Sequence, residues 1–167
     1  MTGVLLRIKG GIWGNRHSYT FIKKMKKFPL TYGLLKTGLP LIIVEVFNQE
    51  LCFLLDTGSN RNIIDLRIYN HFNDKLSAQS SAGSLLSLGG NTGESIEIEI
   101  PFEFEKISYC EPFLCTGNID SFDEIKAESG VQIHGILGSQ FFVKHDWVIN
   151  FEKQMVFMKN NGKNNTD

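Results

Sequence analysis

From Ile96 to Glu105 the chain alternates without a break: Ile96, Ile98, Ile100, Phe102 and Phe104 against Glu97, Glu99, Pro101, Glu103 and Glu105. A period of two belongs to a strand, whose successive side chains point to opposite faces, so this segment puts one face into a core and a charged face toward water. Pro101 has no N–H to give to a ladder and marks an edge stretch or a bulge. Other β-rich runs surround this one. Leu41–Phe47 and Leu51–Leu55 flank Asn48-Gln49-Glu50 as a hairpin, Asn62-Ile63-Ile64 is a short extended piece, and Pro112–Cys115 is a further strand. Trp147–Phe151 and Gln154–Met158 around Glu152-Lys153 form a last hairpin. Helical signals are brief, around Leu66–Phe72 and Phe141–Val143, and residues 116–130 read as a polar, acidic loop. The expectation is a mainly β protein with one or two short helices.

At 167 residues, 42% of them hydrophobic and with a net charge of -1, the chain has room for one core-bearing domain and a short extension. We divide it into a basic N-terminal extension over 1–34, partly ordered at best, a domain over 35–159, and a flexible tail over 160–167. Ser18–Lys27 has the pattern of a short amphipathic helix stopped by Pro29, and Met25 would make a natural chain start. Residues 1–40 carry eight Lys and Arg and no acid, which leaves nine bases against all eighteen acids in the remainder. So acidic a body gives no reason to expect nucleic-acid binding as the main activity, and the basic segment reads as a solvated or self-docking arm.

Cys52, Cys110 and Cys115 cannot all pair within one chain and form no Cys-x-x-Cys clip, which fits reduced thiols. Val4-Leu5-Leu6 is broken by Arg7 and Lys9, and nowhere do about 18 apolar residues run together, so we expect a cytoplasmic protein without a membrane span. His17, His71, His134 and His145 have no metal-ligand spacing, and neither a metal nor another cofactor is implied. Gly89-Gly90-x-x-Gly93 is not followed by the Lys-Ser or Lys-Thr of a phosphate loop.

The second strand of the first hairpin ends directly on Asp56-Thr57-Gly58-Ser59. Asp56 supplies a carboxylate, Gly58 admits close backbone approach so that main-chain amides can point at it, Thr57 offers a hydroxyl that can bond across a two-fold axis, and Ser59 can donate to a carboxylate oxygen. Asp-Thr-Gly alone is weak, since it arises by chance in roughly one chain of this length in fifty and a plain turn uses the same residues. Context adds weight: some 80 residues on, Ile136-Leu137-Gly138 is a run that can slide under the loop, with Gly138 admitting close packing. Two carboxylates at about 3 Å cannot both ionise, so such a pair holds one proton and offers base and acid together. One aspartate is half of that device.

The stretch from about Leu39 to Lys159 resembles the retropepsin family, the retroviral-type aspartic peptidases and their cellular and bacterial relatives. The matching segments are the strand into Asp56-Thr57-Gly58-Ser59-Asn60, Ile136-Leu137-Gly138, the helix Ser139-Gln140-Phe141-Phe142, and the closing hairpin through Trp147 and Phe157. The resemblance implies a small closed β-barrel, Asp56 as the water-activating aspartate, and a symmetric homodimer cutting extended polypeptides. It also implies a glycine-rich flap over the substrate, for which Leu88-Gly89-Gly90-Asn91-Thr92-Gly93 is the candidate, although a plain hairpin turn has the same composition. Ser59 departs from the alanine usual in retroviral members and tilts the expected optimum toward acid pH. The alternative is a barrel of this type that binds a peptide or protein without cutting it.

Overall fold

The computed structural model describes residues 25–76, 78–86, 92–117 and 119–159, with side chains described outside 78–95. Among them are ten strands and four helices. In chain order these are β1 (Lys26–Pro29), α1 (Thr31–Thr37), β2 (Leu41–Val46), β3 (Gln49–Asp56), β4 (Ile63–Asp65), α2 (Leu66–His71), β5 (Ala78–Leu86) and β6 (Thr92–Phe104). They continue with β7 (Ile107–Thr116), α3 (Asp120–Ser129), β8 (Gly135–Gly138), α4 (Ser139–Lys144), β9 (Val148–Asn150) and β10 (Met155–Met158).

Six strands close into a barrel in the order β2-β3-β8-β4-β7-β6, the ring being sealed by one pair, Glu45 of β2 opposite Glu103 of β6. β5 continues the sheet beyond β6. The alternating segment is the spine of this arrangement: Ile98, Ile100, Phe102 and Phe104 are buried in the barrel, while Glu99, Pro101 and Glu103 face outward. Pro101 falls between Ile98, where β5 pairing stops, and Glu103, where β2 pairing occurs, which is where a residue lacking an N–H is tolerated.

β3 reads as a continuous apolar run because both of its faces are covered. Leu51, Phe53 and Leu55 enter the barrel core, and Cys52 joins Leu41, Phe122 and Ile133 in a second cluster outside the wall. That outer cluster rests on α3, which replaces the loop expected over 116–130 and brings the helix count above the expected one or two. Within the barrel, Phe53, Phe113 and Phe141 are fully buried, each contributing roughly 2–3 kcal/mol. Phe102 and Trp147 pack edge-on or tilted against the same group.

Lys26–Pro29, expected in part as the end of a helix, is a strand that pairs antiparallel with β10, and Leu30 beyond it is fully buried in the main core. The rest of the expected helix lies outside the described residues. β1, β10 and β9 form a separate three-stranded sheet. Among the described residues, no helix is long and apolar enough to cross a membrane.

Candidate active site

β3 ends on Asp56, and β8 runs parallel to it with Asp56 in register with Gly138. Ile136, Leu137 and Gly138 thus lie beside the last three residues of the strand that carries the aspartate. Leu137 is fully buried inside the barrel and Ile136 packs on the outer cluster. Gly138 meets the chain leaving the Asp56 loop so closely that a Cβ there would sit 2.4 Å from the Arg61 carbonyl oxygen. Immediately after it, the Ser139 N–H donates to the Ser59 carbonyl at 2.7 Å.

Asp56 is half-buried, while Thr57 and Gly58 are exposed. The Gly58 N–H donates to Asp56 Oδ1 at 2.8 Å, and a Cβ on Gly58 would approach that same oxygen to 3.1 Å. The glycine therefore lets an amide face the carboxylate without crowding it. Among the described residues Asp56 Oδ2 and the Thr57 hydroxyl have no side-chain partner, so the loop presents unspent hydrogen-bonding capacity at the surface.

Ser59 does something other than expected. Its hydroxyl donates to the Arg61 carbonyl at 2.7 Å and accepts weakly from the Arg61 N–H at 3.4 Å, folding the loop back on itself. The hydroxyl makes no bond to the Asp56 carboxylate within one copy of the chain, where Ser59 reaches Asp56 only through its N–H to the Asp56 carbonyl at 3.3 Å, so the expected bias toward an acidic optimum has no donor here. Arg61 in turn reaches Glu97 of β6 at 3.1 Å, with both side chains 38% exposed, linking the loop to the strand that pairs with β5.

The flap candidate is only partly visible. Leu88, Gly89, Gly90 and Asn91 lie outside the described residues, whereas Thr92 and Gly93 open β6 and pair with Leu86 and Leu85 of β5. β5 and β6 are thus paired antiparallel where the described residues on either side of the candidate end.

Two supporting residues escaped sequence reasoning. Asn62 is buried and spans two strands: its Oδ1 accepts from the Gly138 N–H at 3.0 Å and its Nδ2 donates to the Pro112 carbonyl at 3.1 Å. His134 sits at the other end of β8, where its Nδ1 accepts the Cys52 N–H at 2.9 Å. Burial lowers the His134 pKa, with Cys52 and Asp65 opposing and Arg67 and Lys126 assisting. Burial likewise pushes the Cys52 and Cys115 thiols up to about 11, which makes them packing groups and not nucleophiles. Among the described residues no group of His, Cys, Asp and Glu is arranged to hold a metal ion.

No protein-family model matches the chain, and no curated protein matches it in sequence. Solved structures do match it in shape. The retroviral protease-like domain of Ddi1 from Leishmania major superposes with a TM-score of 0.52 at 10% identity, over 76% of this chain and 97% of that one. A retropepsin-like aspartic protease from Rickettsia conorii gives 0.52 at 14% identity, over 80% of this chain and 89% of that one. At such identities the likeness concerns backbone architecture: the chain has the retropepsin-like fold.

Proposed function

We propose that this protein is an aspartic endopeptidase acting as a homodimer, each copy contributing one Asp56 to a shared two-carboxylate site. The observation that carries this reading is the suspension of Asp56 at the end of a buried strand, one oxygen fixed by the Gly58 N–H and its loop braced from below by Gly138 and Ser139. A chain with one such loop needs a second copy.

In the paired site one carboxylate is ionised and the other holds the shared proton. The ionised group takes a proton from a water as that water attacks the peptide carbonyl carbon, while the protonated group gives its hydrogen to the carbonyl oxygen. As the tetrahedral adduct collapses, one of its hydroxyls returns a proton to the now ionised carboxylate while the C=O re-forms and the C–N bond breaks, and the other carboxyl gives its proton to the leaving amine. One proton again remains between the two aspartates. The exposed Thr57 hydroxyl is free to bond to its counterpart in the other loop, and the paired strands β5 and β6 carry the flap that closes over an extended polypeptide with hydrophobic residues around the cut.

The three-stranded sheet supplies a surface for the second copy. Among the described residues β9 is an edge strand of that sheet, Val148 on it is 42% exposed, and Phe151 just beyond it is 58% exposed.

The test is cleavage of an unstructured peptide between about pH 4 and 7 by the native protein and by Asp56→Asn, with a statine-type transition-state inhibitor alongside. Asp56→Asn should lower kcat/KM by about 10⁴-fold, and the inhibitor should block the native protein. An absence of Asp56-dependent turnover across that range would sink the enzyme reading and leave a peptide-binding barrel.

A further inference from the structure

A pocket of about 270 Å³ opens on the barrel wall at the far end of β8 from Gly138. It is lined by Asp65, Arg67, Lys126, Gln132 and His134, with Ile68 and Ile133 as its apolar part. The volume is just below the range for drug-sized ligands and suits a small molecule or one chemical group.

The hydrogen bonds around the pocket determine what its wall offers. His134 Nδ1 accepts the Cys52 N–H, so in the neutral ring the proton resides on Nε2. None of the described residues accepts from that Nε2–H, and among them no buried side-chain nitrogen or oxygen lacks a partner, so Nε2 is open to solvent on the pocket side. Asp65, the only carboxylate among the described lining residues, is used up: its Oδ1 takes the Arg67 N–H and Nε–H, at 2.8 and 2.9 Å, and its Oδ2 takes Arg67 Nη2 at 2.7 Å. Arg67 gives one further bond to Asp123 at 2.9 Å, which leaves two of its five N–H groups unspent. Lys126 has no salt-bridge partner among the described residues, and Gln132 commits only one of its two amide hydrogens, to the Ile133 carbonyl.

The free capacity is therefore almost entirely of the donor kind: an imidazole N–H, a guanidinium edge, an ammonium and an amide hydrogen facing a satisfied carboxylate. We infer that this pocket binds a small oxyanion, a carboxylate or phosphate group, with His134 Nε2–H and Lys126 as its main donors. The lowered pKa of His134 agrees, since a ring kept neutral stays the tautomer that bonds to β3 through Nδ1 while offering Nε2–H outward. The site is separate from Asp56 and does not depend on peptidase activity.

The full-length protein, labelled with ¹⁵N, is titrated near neutral pH with acetate and separately with inorganic phosphate, ionic strength being held constant with chloride. Saturable shifts of the His134 ring and of the Gln132–His134 amides are expected, with a dissociation constant on the order of 1 mM. Lys126→Gln, an exposed change that leaves the fold intact, should weaken the binding about fivefold. Response to acetate alone identifies a carboxylate site, to phosphate alone a phosphate site, and to both a general oxyanion site. Shifts that fail to saturate, that equal chloride reproduces, or that Lys126→Gln leaves unchanged would overturn the inference.

Discussion

Asn62 divides one side-chain amide between two backbones, and the division explains why an amide is needed there. Its oxygen satisfies the Gly138 N–H and its nitrogen satisfies the Pro112 carbonyl. Aspartate has no hydrogen for Pro112, and alanine serves neither. Asn62→Ala should cost about 2–3 kcal/mol in urea unfolding, because it strands a donor and an acceptor away from water. It should also loosen the Asp56 loop, which passes between Asp56 and Asn62 before reaching the barrel wall. At this scale the sequence was partly legible. Asp56 and Gly138 stand out because their types are restricted by local need, a carboxylate at a strand end and a residue without Cβ at a close approach. Asn62 does not, since its partners lie 50 and 76 residues away. The bonding of Ser59 was misread because a hydroxyl beside a carboxylate has a nearer competitor, the backbone two residues on.

Between elements, His134 is the joint of β3, β4 and β8. It exchanges backbone and side-chain bonds with Cys52 and accepts the Asp65 N–H on its carbonyl at 3.1 Å. Since burial lowers its folded pKa below the ordinary 6.5, the unfolded chain binds the proton more readily. The stabilisation is thus present above about pH 6.5 and is lost as pH falls from there through the lowered folded value. Urea midpoints measured from about pH 7 down to 5 should decline for the native protein and decline less for His134→Asn. An equal decline in both would assign the effect to other groups. The same linkage bears on the cleavage assay, because turnover lost at acid pH must be separated from unfolding. Elements with strong periodicity, such as β6 and the β2–β3 hairpin, were readable because one face meets the core or both do. α3 was not, since it presents a single fully buried residue, Phe122, among charged neighbours. β1 is four residues ending in proline, too short to show a period, and its pairing with β10 depends on chain about 130 residues away.

For the whole molecule, the proposed dimer makes activity depend on concentration. Sedimentation should show a monomer–dimer equilibrium, with specific activity rising as the dimer fills. Phe151→Glu, which places a charge beside the β9 edge, should shift that equilibrium toward monomer by about tenfold in dissociation constant, whereas Asp56→Asn should leave it unchanged. A native protein that stays monomeric at high concentration cannot assemble the pair of carboxylates. The closed barrel, unlike the partner surface, was available from sequence through the family resemblance.

The parallel register of Asp56 with Gly138, and the antiparallel pairing of β1 with β10 in the second sheet, also set a timetable for synthesis. The aspartate loop emerges early, yet the strand that braces it comes some 80 residues later, and β10 later still. A ribosome-bound chain stopped before Gly135 has the loop without its brace, so local contacts alone cannot assemble the half-site. Folding must wait for these distant pairings, which places the protein among slow, high-contact-order folders. The geometry that would make Asp56 reactive is completed only once β8 has followed the loop out of the ribosome.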